Sequence, residues 1–85
     1  MVKHILLIRH IHRSGNKNQY ATQQFMRHMI SLNGLESVES WLQQRGLQLG
    51  FEVAHTRYHR AAQVVCTFYV YCDDATWMEY CMTWS

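Results

Sequence analysis

The chain has 85 residues, a formal net charge of +2, 48% hydrophobic residues and 16% charged ones. That length holds one small domain with a modest core, and the balance is too apolar and too weakly charged for a disordered chain. The eight basic residues are scattered along the sequence, which argues against a nucleic-acid footprint, and the longest apolar run, Ile5 to Ile8, is far short of a membrane span.

Residues 2–8 predict a buried strand, partly β-branched and continuously apolar from Ile5, the pattern of a parallel sheet covered on both faces. Its tip delivers Arg9 and His10 side by side. Residues 13–18, small, polar and glycine-containing, predict a loop. Residues 19–31 predict an amphipathic helix with Phe25, Met26, Met29 and Ile30 on one stripe, broken by Asn33-Gly34. Leu35, Val38 and Leu42, with Trp41 beside them, predict a second helix that stops at Gly46. Residues 51–54 predict a second strand, whose end delivers His55 and Thr56. From Arg57 to about residue 70, Ala61, Val64, Val65 and Phe68 share one helical face and predict a third helix. Residues 71–85 are rich in aromatic and sulfur side chains but show no clean period, so no element is assigned there. The order strand-helix-helix-strand-helix implies an α/β layer with a short parallel sheet, in which ligands gather at the carboxyl ends of the strands.

The strand tips suit phosphate chemistry. Two guanidinium forks match the oxygens of a phosphate monoester. A histidine attacks phosphorus as the neutral imidazole, which adjacent positive charge favours. Arg60, expected at the start of the third helix, would add a second fork where a helix N-terminus favours an anion. His55 and His59 would share a helix face, but Cys66, Cys72 and Cys81 offer no paired half-site, so surface histidines are expected and no metal. The odd cysteine count argues against a complete disulfide framework and for a reducing compartment, and no N-terminal apolar region suggests a secretory signal.

"HILLIRH", then "SLNG", then "VAHTRYHRAAQV" resemble the histidine phosphatase, or phosphoglycerate-mutase-like, superfamily over roughly Val2 to Phe68. That family has a strand ending in Arg-His-Gly, an L-T-x-x-G before a helix, and a strand leading into S-x-x-x-R-A-x-Q-T. Thr56 stands for the serine of the last motif, Arg60, Ala61 and Gln63 match, and Val64 replaces its threonine. The wording is similar to the mitochondrial serine/threonine protein phosphatase branch. The resemblance implies a partial phosphoglycerate-mutase-like layer and phosphoester hydrolysis through a phosphohistidine at His10. Arg9 and Arg60 would hold the phosphoryl oxygens, with Thr56 beside them, on a phosphoester or phosphoprotein substrate and without a cofactor.

Ile11 replaces the motif glycine, and no histidine follows His59 to serve as the second catalytic one; the acidic proton donor has no recognisable counterpart either. Residues 1–70 are therefore expected to form a truncated domain of this type, followed by a divergent tail at 71–85. The alternative is a catalytically inactive fragment or isoform that binds phosphate or a protein partner, with self-association through an exposed sheet edge as a further expectation. No nucleic-acid partner and no transmembrane segment are expected. The compartment is expected to be intracellular, mitochondrial by resemblance and cytosolic otherwise.

Overall fold

The computed structural model describes residues 1–84. The elements are β1 (Val2–His12), a single 3-10 turn (Lys17–Tyr20), α1 (Gln23–Leu32), α2 (Glu36–Gln44), β2 (Gly50–Tyr58), β3 (Ala61–Cys72) and α3 (Asp74–Thr83). The three strands form one sheet in the order β1-β3-β2, and both pairings are antiparallel.

The fold is mixed α/β, but the parallel sheet of a phosphoglycerate-mutase-like layer does not form. The reason lies in residues 57–70. Ala61, Val64, Val65 and Phe68 fit a helical stripe, yet the same segment also alternates. Val64, Cys66, Phe68, Val70 and Cys72 all point inward, each 2% exposed or less. The stretch is rich in β-branched and aromatic residues, which suit a pleated surface. The alternation prevails because a central strand hydrogen-bonds on both sides while its inner row packs. The expected third helix is thus the second arm of a β-hairpin, and β2 and β3 turn directly into each other between Tyr58 and Ala61. A two-residue hairpin makes its strands antiparallel, whereas a parallel pair needs a long crossover.

The two expected helices do form. Thr22 caps α1 by accepting from the Phe25 amide at 3.0 Å. Met29 and Ile30 are the fully buried residues of its stripe. Both α1 and α2 end in the same motif. The Leu35 amide donates to the Ile30 carbonyl and the Gly34 amide to that of Ser31; Leu47 and Gly46 repeat this with Leu42 and Gln43. Gly34 and Gly46 adopt φ of +66° and +71°, a left-handed turn that costs a glycine least.

The segment without a clean period forms α3. Asp73 caps it, accepting from the Thr76 amide at 2.8 Å, and hydrogen bonding to Thr76, its side chain first and then its amide, holds the Asp73 carboxyl below its usual range. The helix packs on the same layer as the rest. Trp77 stacks on His4 with centroids 4.3 Å apart. Arg45 lies over the Trp41 ring and pairs with Glu79 at 2.6 Å.

The core lies between one face of the sheet and the helices. It joins the inner row of β3 to Tyr20, Met29, Ile30, Leu35, Val38, Leu42 and Leu49. Cys66 and Cys72 belong to this row and are free thiols, and burial pushes both thiols up. A bulge between Ile5 and Leu7 shifts the phase of β1. Beyond it Leu7, Arg9 and Ile11 take the inner side; before it His4 does, while Lys3 and Ile5 face the open side.

Phe68 is fully buried at the middle of the central strand. Phe68→Ala is expected to cost about 3–5 kcal/mol, read as a lower denaturant midpoint at unchanged slope in urea unfolding.

Candidate functional site

β1 and β2 both run against β3, so their carboxyl ends and the β2–β3 turn lie at one end of the sheet. The charge collects at this hairpin end. Three of the eight Lys and Arg residues pair with three of the six carboxylates: Lys3 with Glu52, Arg27 with Glu39 and Arg45 with Glu79. The remaining cations are Arg9, Arg13, Lys17, Arg57 and Arg60, and among the described residues none of them meets a carboxylate. Residues 4–35 and 53–72 contain no Asp or Glu at all. Asp73 and Asp74 lie beyond the opposite end of β3, in a molecule 42 Å long.

Ala62 organises the cluster. The Arg13 amide donates to its carbonyl at 3.0 Å, and Arg57 pairs with it from β2. Two arginines therefore flank one small residue on the central strand. Around Ala62 lies a recess of about 220 Å³, lined by Arg13, Lys17, His55, Thr56 and Arg57. Tyr20 anchors the loop that carries Arg13 and Lys17. Its hydroxyl donates to the Ser14 carbonyl at 2.8 Å and accepts from the Ser14 amide at 2.9 Å. That amide, first among its neighbours, holds the phenol below its usual range. The same ring meets His55 edge-on at 6.1 Å and Phe25 at 5.0 Å. The core thus reaches out through Tyr20 to position a polar loop against β2.

The hairpin turn is cationic and strained. His59 and Arg60 have φ of +48° and +67°. Positive φ at both central residues marks a type I′ turn, the conformation that Asn-Gly or Gly-Gly adopts with least cost.

The residues expected at a phosphate site are not gathered as expected. Arg9 and His10 lie inside β1 rather than beyond it, and successive residues of a strand point to opposite faces. Arg9 sits on the helix side, its Nε donating to Asn33 Oδ1 at 2.9 Å. His10 pairs with Val65 on the open side. Arg60 lies in the turn, not at a helix N-terminus, five residues along β3 from Val65, or about 17 Å at the usual strand rise. Thr56 pairs with Gln63, which also pairs with His12. His55 and His59 lie on a strand and in a turn instead of on one helix face. Among the described residues no group of three His, Cys, Asp or Glu could hold a metal ion.

Arg13, Lys17 and Arg57 are the additions to the site. Their signal in the sequence is the absence of carboxylates from the two stretches that supply them. A larger groove, about 830 Å³, runs beside β2 past Met26, Leu47 and Phe51, away from this cluster.

Arg60→Gly removes the side-chain penalty of a left-handed residue, about 1–2 kcal/mol, and loosens the unfolded chain by somewhat less. It is expected to stabilise the protein by about 0.5–1 kcal/mol in urea unfolding. Comparison of the chain with protein-family models, with curated proteins and with solved structures finds no match.

Proposed function

We propose that the hairpin end of the sheet is a binding site for a phosphate-bearing polyanion, and that it recognises its ligand without turning it over. The observation that carries this reading is the segregation of charge. Arg13 and Arg57 flank Ala62, with Lys17 and Arg60 close in the chain and no carboxylate in either contributing stretch. Guanidinium groups match phosphate oxygens in pairs. The recess is small and open, so it suits one phosphate group presented on a larger molecule better than an enclosed small ligand, whose pockets run to about 300–1,000 Å³.

The turn supports the same reading. His59 and Arg60 occupy left-handed positions that favour glycine. Backbone strain of this sort collects at functional sites, where the side chain matters more than the local cost. Arg60→Gly would then stabilise the fold while weakening binding.

Binding is preferred to hydrolysis because phosphoryl transfer through His10 requires Arg9 and Arg60 at the same phosphorus. The alternation of β1 sends Arg9 and His10 to opposite faces. The reading therefore follows the second expectation from the sequence, a phosphate-binding protein without turnover.

Inorganic polyphosphate is expected to raise the melting temperature, since a ligand that binds only the native state stabilises it. At a hundredfold excess over Kd the rise should be about 10 °C or more for a domain of this size. Potassium chloride should suppress it by screening. The folded double variant Arg13→Gln/Arg57→Gln should lose most of the shift; an unchanged shift in that variant would refute the site. Incubation with a radiolabelled phosphoryl donor and quenching in alkali should leave no phosphohistidine, and label lost in His10→Ala would restore the hydrolytic reading.

A further inference from the structure

β2 is an edge strand with an unbroken register against β3. The Arg13 amide reaches the Ala62 carbonyl from the β1 side, so the even residues of β3 hydrogen-bond toward β1 and the odd ones toward β2. Gly50, Glu52, Ala54 and Thr56 pair with those odd residues, and the amides and carbonyls of Phe51, Val53, His55 and Arg57 point away from the sheet. Among the described residues no turn, loop or cap hydrogen-bonds to the backbone of these four. Their side chains lie on the helix side, opposite Phe68, Cys66, Val64 and Ala62.

We infer that the β2 edge takes up an extended peptide of another protein as a fourth strand, with an acidic side chain at one end of that peptide held in the recess of Arg13, Lys17 and Arg57. The inference goes beyond the phosphate reading: it shares the cationic recess and adds a groove that binds a backbone. The groove of about 830 Å³ beside β2 is the space for the strand. Met26 lines it from the helix side and Tyr69 from the open side, which places it along the edge of the sheet. Leu47, Phe51 and Val53, all half-buried, add apolar wall. Val53 belongs to the groove and His55, next on the same face, to the recess, so the two adjoin along β2. From Gly50 to Arg57 the edge is about 24 Å long, room for a peptide of about eight residues.

Charge complementarity fixes the chemistry of the occupant. Arg57 lies on the same face of β2 as Phe51 and Val53, and Arg13 and Lys17 line the recess with it, with no carboxylate among the lining residues. Guanidinium forks match a carboxylate as they match a phosphate. Glu39, the one acid of the groove wall, is paired with Arg27, so no unpaired acid lies along the path. A second copy of β2 would not supply the charge, because its one acid, Glu52, faces the open side and is paired with Lys3. β1, the other edge, is less suited: a bulge breaks its register between Ile5 and Leu7, and the Arg9 guanidinium donates to the Ile8 carbonyl at 3.3 Å. Strand addition draws affinity from main-chain hydrogen bonds and specificity from alternate side chains. Residues opposite Arg57, Val53 and Phe51 share one face, so the acid is followed by apolar residues four and six positions on.

The test measures fluorescence anisotropy with labelled, acetylated peptides of about eight residues, in which a leading glutamate is followed by valines at that spacing among threonines. The glutamate comes first so that the peptide runs antiparallel to β2. Moving the valines by one position turns them to the other face and should weaken binding about tenfold. N-methylation of alternate amides should abolish binding in the set that faces β2 and spare it in the other. Arg57→Gln, checked by circular dichroism for an intact fold, should weaken binding about tenfold. Equal affinity of the two N-methylated sets, or of the two valine spacings, would overturn strand addition. Stabilisation by polyphosphate with no peptide bound would overturn it and leave the phosphate site standing, whereas peptide binding without that stabilisation would refute the phosphate reading alone. Absence of both would overturn both. A dimer in sedimentation that excludes the peptide would assign the edge to a second copy and likewise overturn the inference.

Discussion

The central strand has two faces with different duties, and the rest of the molecule depends on that difference. β3 hydrogen-bonds to β1 on one side and to β2 on the other, so its register sets the position of both. Its inner row forms the floor of the core, and a slip of one residue would bring Val65, Thr67 and Tyr69 inward instead. The helices have no comparable hold on one another. α1 and α2 are placed by the apolar stripe each lays on that floor, α3 by Trp77 and Tyr80 packed against it, and the ion pairs Arg27–Glu39 and Arg45–Glu79 lie at their margins. Such exposed pairs contribute little by themselves. The bulge in β1 completes the arrangement. It lets His4 meet Trp77 of α3 on the inner side while Lys3 crosses the outer side to Glu52.

Electrostatics follows from the same topology. Antiparallel pairing folds the carboxyl end of β1, the carboxyl end of β2 and the start of β3 into one place. These are the segments without acids. The carboxylates occupy helix starts, as at Glu36, Glu39, Asp73 and Asp74, or ion pairs. A small net charge therefore conceals a strong polarity, and a long-range field depends on that distribution as well as on the total. The cost of assembling like charges falls on an exposed end of the molecule, where solvent and salt screen it.

Much of the helical layer was legible in the sequence. Phe25, Met26, Met29 and Ile30 follow the helical period, Asn33-Gly34 and Gly46 give stop signals, and the capped turns form as those signals predict. The 3-10 turn and Thr22 shift the start of α1 beyond the expected residue 19, because the hydroxyl of Thr22 supplies a cap. The segment at 61–72 was not legible in the same way. Its apolar residues satisfy periods of 3.6 and of 2 together, and a partner strand on each side decides between them. α3 was illegible for the opposite reason: apolar residues surround it, so no period stands out, and only its Asp73 cap marks it.

The sequence by itself determined local matters: where helices start and stop, which residues can cap them, and which stretches lack acids. These depend on groups within a few residues of one another. The tertiary structure decided what those stretches meet. Arg9 and His10 are neighbours in the chain, and β-strand geometry separates them onto two faces. Arg13 and Arg57 are 44 positions apart, and strand pairing brings them to either side of Ala62. A chemical site requires proximity in space. In a sheet that proximity comes from register between distant strands, which no local pattern encodes.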